Sequence, residues 1–299
     1  MEYALERIRF FRATGGNPAG TLDIAYLRIT ELPDIPEGVV TLCCYGNRLT
    51  SLPETLPDSL LHLYCDSNML TSLPDRLPSG LQTLYCSSNP IRKLPETLPD
   101  TLTRLHCSEC ELTSLPERLP ATLESLYCSK NRLSTLPKSL PDTLLSIVMK
   151  KNAFKTLPIL PPQLLMLDCT DNPITILPET LPDMLRVLFV DNCRLSSLPN
   201  RLPSRLETLY CNRNKLTCFP DVMPDGLIRL KNDFNSMPVQ QSYESIREFI
   251  ARVNALDARD SKERTTQRCS QICEELMMRV WHPSRVEKLM LMGVDMEDM

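Results

Sequence analysis

The sequence predicts a repeat solenoid followed by a short helical segment. Three observations carry that expectation: a fixed 21-residue period, apolar residues that alternate at the head of each period, and prolines that fall in columns. From Leu60 the chain reads LLHLYCDSNMLTSLPDRLPSG, and from Leu81 it restarts as LQTLYCSSNPIRKLPETLPDT. The first apolar position of each frame falls at Val39, Leu60, Leu81, Leu102, Leu123, Leu144, Leu164, Leu185, Leu206 and Leu227, ten frames with one step of 20 and all others of 21. A worn frame with Leu22, Ile24, Leu27, Ile29 and Leu32 precedes them, and the last frame fades after Met237 and Pro238. Such ends are expected, because terminal repeats must cap the core.

Each part of the frame has a physical reason. In Leu63-Tyr64-Cys65 the alternation points Leu63 and Cys65 to one side and Tyr64 to the other, so this stretch is a strand with one core face and one surface face. Strands about 4.8 Å apart would stack ten frames into an array of roughly 45 to 50 Å. Asn47, Asn68, Asn89, Asn131, Asn152, Asn172, Asn214 and Asn235 share one position, where a buried amide can bond the turning backbone of its own and adjacent coils. Cys110 and Cys193 occupy that position in the other two frames, and their weaker donors predict softer turns. The chain has 26 Pro against 8 Gly. At pairs such as Leu73-Pro74 and Leu77-Pro78, fixed φ and a missing N–H favour an extended, polyproline-like outer edge over a helix.

The frame LxxLxLxxNxLxxLPxxLP resembles the leucine-rich repeat over about residues 19–238. Its short form with two Leu-Pro pairs is similar to the leucine-rich repeats of bacterial secreted effectors, including those joined to ubiquitin-ligase domains. The resemblance implies an α/β solenoid, a leucine-rich-repeat horseshoe with a parallel concave sheet and a polyproline-like convex side. Residues 1–18 are then an N-terminal cap and residues 239–299 a small α-helical C-terminal cap or tail. In that tail Ser242 is a candidate N-cap before Ile246, Phe249, Ile250 and Val253 at helical spacing; a second helix is expected from Ser261 to Val280 and a third from Pro283 to Gly293. About 60 residues are too few for the ligase domain, and Cys269-Ser-Gln and Cys273-Glu-Glu lack that family's cysteine-x-aspartate arrangement, so ligase chemistry is not carried over. The ending from Trp281 through Gly293 to an acidic tail is similar to C-terminal tails of proteins from large DNA viruses, which implies a virion or an infected cell's cytoplasm.

Net charge is −4 with a pI near 5.6, so no global positive field points to nucleic acid or an anionic membrane as partner. The charged opening Met1 to Phe10 has no apolar signal-peptide core, and no stretch approaches the roughly 18 apolar residues needed to span a bilayer. The 13 cysteines are therefore expected as free thiols of a soluble protein in a reducing, cytoplasmic compartment. Cys44, Cys65, Cys86, Cys107, Cys128, Cys169 and Cys211 fit the core as small buried hydrophobes. Zinc has one foothold, Cys107 and Cys110 beside His106, without a second close pair. Cys269 and Cys273 share a helix face and fit packing better than redox chemistry. His62, His106 and His282 accompany no nucleophile signature, so no catalytic, cofactor or metal residue is expected.

The outward residues of successive strands should form a column: Cys43, Tyr64, Tyr85, His106, Tyr127, Val148, Asp168, Phe189, Tyr210 and Lys231. Five of these ten are Phe or Tyr in a chain only 5% aromatic, and tyrosines combine rigid contact area with a polar tip. The rings could also merely stack on one another to stabilise the sheet. Beside them Lys130, Lys150 and Lys151 are followed by Asp168, Asp171 and Asp191, a bipolar pattern suited to a protein partner. The expected partner contacts are Tyr64, Tyr85, His106, Tyr127, Lys150, Asp168, Phe189 and Tyr210. The function they imply is non-enzymatic protein–protein interaction through the concave face. The alternatives are a structural component of a virion or capsid, a ubiquitin-ligase adaptor or effector, and carbohydrate binding by the tyrosines.

Overall fold

Each frame folds into one coil that contributes a single three-residue strand. The computed structural model describes residues 1–14, 19–238, 240–241 and 244–280, apart from the side chains of 269 and 272–280. Helix α1 spans Glu2–Thr14. The strands are β1 Thr21–Asp23, β2 Thr41–Cys43, β3 His62–Tyr64, β4 Thr83–Tyr85, β5 Arg104–His106, β6 Ser125–Tyr127, β7 Ser146–Val148, β8 Met166–Asp168, β9 Val187–Phe189, β10 Thr208–Tyr210 and β11 Arg229–Lys231, and helix α2 is Ile246–Val280. All eleven strands form one sheet in sequence order, every neighbouring pair parallel. The worn first frame is thus a full member, supplying β1.

The register follows the apolar pattern. Leu22, Leu42, Leu63, Leu84, Leu105, Leu126, Ile147, Leu167, Leu188 and Leu209 align at the strand centres, and all are buried. Their neighbours on either side face away from the core, as period-2 alternation requires. Leucines of the Leu-Pro pairs, such as Leu94 and Leu98, close the core from the opposite side. No helix forms on that side among the described residues; instead the second proline's carbonyl accepts the N–H three residues on, as from Leu60 to Pro57 (3.0 Å). Helix α1 buries Ala4, Ile8 and Phe11, one stripe at i, i+4 and i+7, and Arg7 donates to the carbonyl of Asp23 in β1 (2.6 Å).

The asparagine column staples coil to coil. Asn68 Nδ2 donates to the carbonyls of Cys44 in the preceding coil and Cys65 in its own, each at 3.1 Å, while its Oδ1 accepts the N–H of Leu49 (3.0 Å). The same three bonds recur at Asn89, Asn131, Asn152, Asn172 and Asn214. At the exceptions, Cys110 Sγ reaches the carbonyl of Cys86 at 3.5 Å and Cys193 Sγ that of Cys169 at 3.5 Å, long contacts for a weak donor. In both cases the preceding frame reads Asn-Pro-Ile, so Pro90 and Pro173 remove a backbone donor one seam earlier, while Glu111 and Arg194 keep that bond at the cysteine seams (2.9 and 2.8 Å). Side-chain hydrogen bonding with the neighbouring Cys86 and Cys169 thiols, helped by backbone groups such as that of Asn89, pulls the Cys110 and Cys193 pKa below the usual thiol value. Elsewhere burial pushes the thiols of Cys44 and Cys128 up to about 12, which keeps them protonated as packing groups.

Two further ladders were not anticipated from the pattern. The hydroxyl of Thr122 donates to the carbonyls of Asp100 (2.7 Å) and Leu102 (2.9 Å), and Thr101 and Thr143 repeat the bond pair one coil either side. A left-handed residue also recurs in each coil from Ser67 to Phe234, with φ between 48 and 59°. Non-glycine residues there cost about 1 to 2 kcal/mol, offset from Ser67 to Arg213 by the bond each N–H makes to the next coil, as from Ser67 to Ser87 (2.9 Å). In the second coil Gly46 takes this place, because the Tyr26 ring lies where a Cβ would stand.

The C-terminal segment departs from expectation. The chain separates at Gln240 into a second unit, and there α2 runs unbroken for 35 residues where two helices were expected. The interval 254–261 contains neither Pro nor Gly, so nothing interrupts the backbone ladder. The N-cap is Ser245: its Oγ accepts the N–H of Glu248 (3.2 Å) and Glu248 Oε2 accepts the N–H of Ser245 (2.9 Å), a capping box. Ser242, the helix expected from Pro283 and the tail from Trp281 lie outside the described residues, as do the side chains of Cys269 and Cys273. Among the described residues no helix is long and apolar enough to cross a membrane.

The asparagine staples predict asymmetric effects at equivalent positions. Asn131→Ala strands three backbone groups and should cost about 2 to 3 kcal/mol, whereas Cys110→Asn restores a staple and should gain about 1 kcal/mol. Urea unfolding followed by circular dichroism checks both signs.

Candidate concave recognition face

Because strand centres point into the core, the first and third strand residues and the residue two beyond form three parallel rows on the opposite face. The middle row holds the aromatics, and the structure splits it in two. Tyr64 meets Tyr85 edge-on (centroids 5.0 Å, 83°), Tyr85 stacks on His106 (3.8 Å, 9°), and His106 stacks on Tyr127 (4.2 Å, 12°). After Val148 and Asp168 a second run begins, Phe189 against Tyr210 (4.7 Å), with Lys231 Nζ 4.6 Å from the Tyr210 ring centre. All six rings are half-buried, so each keeps an accessible edge or face. Self-stacking and an open aromatic surface therefore coexist.

His106 lies between two tyrosine rings. Burial, helped by the positive charge of Arg104, pushes its pKa down to about 4, which leaves the imidazole neutral at physiological pH. Burial raises the Tyr85 phenol, with Tyr64 adding to the effect. The first aromatic run thus carries no charge of its own near neutrality.

Lys150 and Asp168 differ from the simple partner contacts expected of them. Lys150 belongs to the third row, and its Nζ reaches across to Asp168 Oδ2 at 3.0 Å. Asp168 is only 1% exposed and its Oδ1 accepts the N–H of Thr170 (3.2 Å), so it positions Lys150 and is not itself an accessible contact. Of the other charges, Lys130 pairs with Glu109 (2.7 Å), and Asp171 accepts from Asn192. The third row is fixed by its own ladder: Asp66 accepts the N–H of Ser87, Ser87 that of Ser108, Ser108 that of Ser129, and Ser129 that of Lys150, at 2.9 to 3.1 Å. Asp191 does the same for Asn212 (2.7 Å). Burial raises the carboxyl pKa of both Asp66 and Asp191.

The zinc foothold does not converge. His106 projects from the sheet face while Cys107 is buried in the core behind it, and among the described residues no group of three metal-ligating side chains comes together. The residues that sequence reasoning passed over are those of the first row, His62, Thr83 and Arg104, each two positions before a middle-row ring. The same period-2 rule that selected the rings places these beside them.

Neither the protein-family models nor the curated proteins contain a match to the chain. Solved structures do. The chain is similar to YopM from Yersinia enterocolitica, at 35% identity over 78% of this chain and 50% of that one, with a TM-score of 0.72. It spans half the length of that protein. It is similar as well to YopM of Yersinia pestis, a leucine-rich effector protein, at 32% identity over 78% of this chain and 82% of that one, with a TM-score of 0.55. A Leptospira interrogans leucine-rich-repeat protein shares the fold at 20% identity, over 73% of this chain and 86% of that one, with a TM-score of 0.55. Coil for coil, the chain belongs to the leucine-rich-repeat family that includes YopM.

Proposed function

We propose that this chain is a non-enzymatic recognition module that grips a protein partner through the concave face of its sheet. One observation carries the proposal. The middle row accepts Cys43, Val148, Asp168 and Lys231 without any change in strand length or register, so the strand itself does not require rings. Six rings in that row, each partly open to solvent, answer to something outside the fold. Stacking restricts their motion before a partner arrives, which lowers the ordering cost of binding.

The wider surface suits the same role. Lys150 is held by Asp168, and Lys231 lies over Tyr210, so a cation follows each aromatic run along the sheet. Tyr, Trp and Arg dominate the energetics of protein interfaces, and a bipolar surface sets orientation. Likeness to a leucine-rich effector protein of Yersinia pestis supports action by binding and not by catalysis. Free thiols among the described cysteines suit a reducing compartment such as a cytoplasm.

Affinity purification with mass spectrometry tests the proposal on wild type and on a Tyr64→Ala, Tyr85→Ala, Tyr127→Ala, Tyr210→Ala variant checked for folding by circular dichroism. Loss of an abundant partner, at about tenfold or more in affinity, is the expected result. An unchanged partner set dominated by shell proteins would instead assign the solenoid to a structural bracket in a particle. Acidification gives a second test. The folded His106 pKa of about 4 lies below its ordinary 6.5, so the unfolded chain binds the proton first. Stability should fall as pH drops from about 6.5 to about 4 and level off below, with His106→Phe reducing that slope. Urea midpoints measured across this range, with NMR titration of the imidazole, check the sign.

A further inference from the structure

The first row of the concave face has a feature that the aromatic row does not explain. His62, Thr83, Arg104, Ser125 and Ser146 stand side by side in register, about 4.8 Å apart. Among the described residues, the buried side-chain atoms without a hydrogen-bond partner are His62 Nδ1, Thr83 Oγ1, Ser146 Oγ and Asp168 Oδ2. All four belong to concave-face residues. Asp168 has the Lys150 ammonium for company, which leaves three unpaired atoms, all in the first row. Thr83 is only 1% exposed. The corner asparagines, by contrast, have both amide groups engaged, so missing partners are not a general property of this chain.

Arg104 completes the pattern. It is exposed, and like Arg76, Arg118 and Arg229 its guanidinium makes no ion pair among the described residues. Beside it His106 is neutral, so Arg104 is the cation of this stretch, among neutral donors and acceptors.

We infer that His62, Thr83 and Arg104 form a docking strip for an acidic segment of the protein partner. A carboxylate of that segment pairs with exposed Arg104, while Thr83 Oγ1 and His62 Nδ1, covered in the free chain, gain partners from it only as the row opens on docking. The inference rests on the concave-face proposal and adds the chemistry of the occupant. A guanidinium offers two parallel N–H bonds to a carboxylate. Charge decides between carboxylate and phosphate: one guanidinium matches a monoanion, while phosphate-binding sites gather arginines. Tyr64 and Tyr85, two residues along the same strands, supply the apolar flank.

Selection of random dodecapeptides against the immobilised full-length chain, run in parallel on wild type, Arg104→Gln and Thr83→Val, tests the strip. Peptides enriched in Asp or Glu on wild type, losing about tenfold in affinity when that residue becomes Asn or Gln, and showing no such loss on R104Q, are the expected result. Thr83→Val adds a readout that a purely structural hydroxyl would not give. Because Thr83 Oγ1 has no partner in the free chain, T83V should raise the melting temperature by about 2 to 4 °C while weakening the selected peptides several-fold. Absence of carboxylate enrichment, equal binding by R104Q, or destabilisation by T83V overturns the inference. Tyr85→Ala separates the two proposals: if it abolishes peptide binding while R104Q and T83V leave it unchanged, the concave face stands and the acidic strip falls.

Discussion

Every coil must turn its backbone through a corner that the next coil buries, and a buried amide left without a partner costs about 1 to 3 kcal/mol. The asparagine column meets that constraint: one side chain bonds two carbonyls and one N–H, in its own coil and the one before. With corners fixed in this way, strand centres can stack leucine on leucine, and the sheet stays parallel and in register through eleven strands. The frame length, the left-handed residue ahead of each asparagine and the hydroxyl ladder all serve the same closure. At Cys110 and Cys193 the corner is held by long sulfur contacts, so two seams of the array are weaker than the rest.

Because core and corners are settled by inward residues, the concave rows are released from the demands of folding. They are used unevenly. The third row bonds its neighbours' backbone, the middle row stacks, and the first row keeps polar atoms unpaired. Stacking holds His106 in a partly desolvated slot where the charged form is disfavoured, so the aromatic surface stays uncharged near neutrality while Arg104 beside it remains cationic. A rigid neutral stripe with an adjacent exposed cation is a specific surface, and the unpaired polar atoms beside it are covered in the free chain, so they gain an outside partner only if that row opens.

Much of the fold was legible in the residues. A period of 21, Leu63 and Cys65 opposite Tyr64, and an asparagine in one column dictate coil, strand face and corner. The long sulfur contacts at the Cys110 and Cys193 corners were legible for the same reason, since sulfur is a poor donor. The tail was less so. The Ser245–Glu248 capping box could have been found from its S-x-x-E spacing, and the unbroken α2 from the lack of Pro and Gly between 254 and 261. Two helices were expected there, with a break ahead of Ser261 that the backbone does not make.

By itself the sequence determined which residues face the core and which the concave surface, because alternation and repeat length act locally and identically in each coil. Only the tertiary structure decided what the outward residues do to one another. Neighbours across strands are 20 or 21 residues apart, and their packing depends on ring orientation and reach that no spacing encodes. So the division of the aromatic row at Val148 and Asp168, the burial of Asp168 under Lys150, and the unpaired atoms of His62 and Thr83 appear only once the coils are stacked. Local pattern fixes the direction of a side chain; its partners are set by which coil lies next to it.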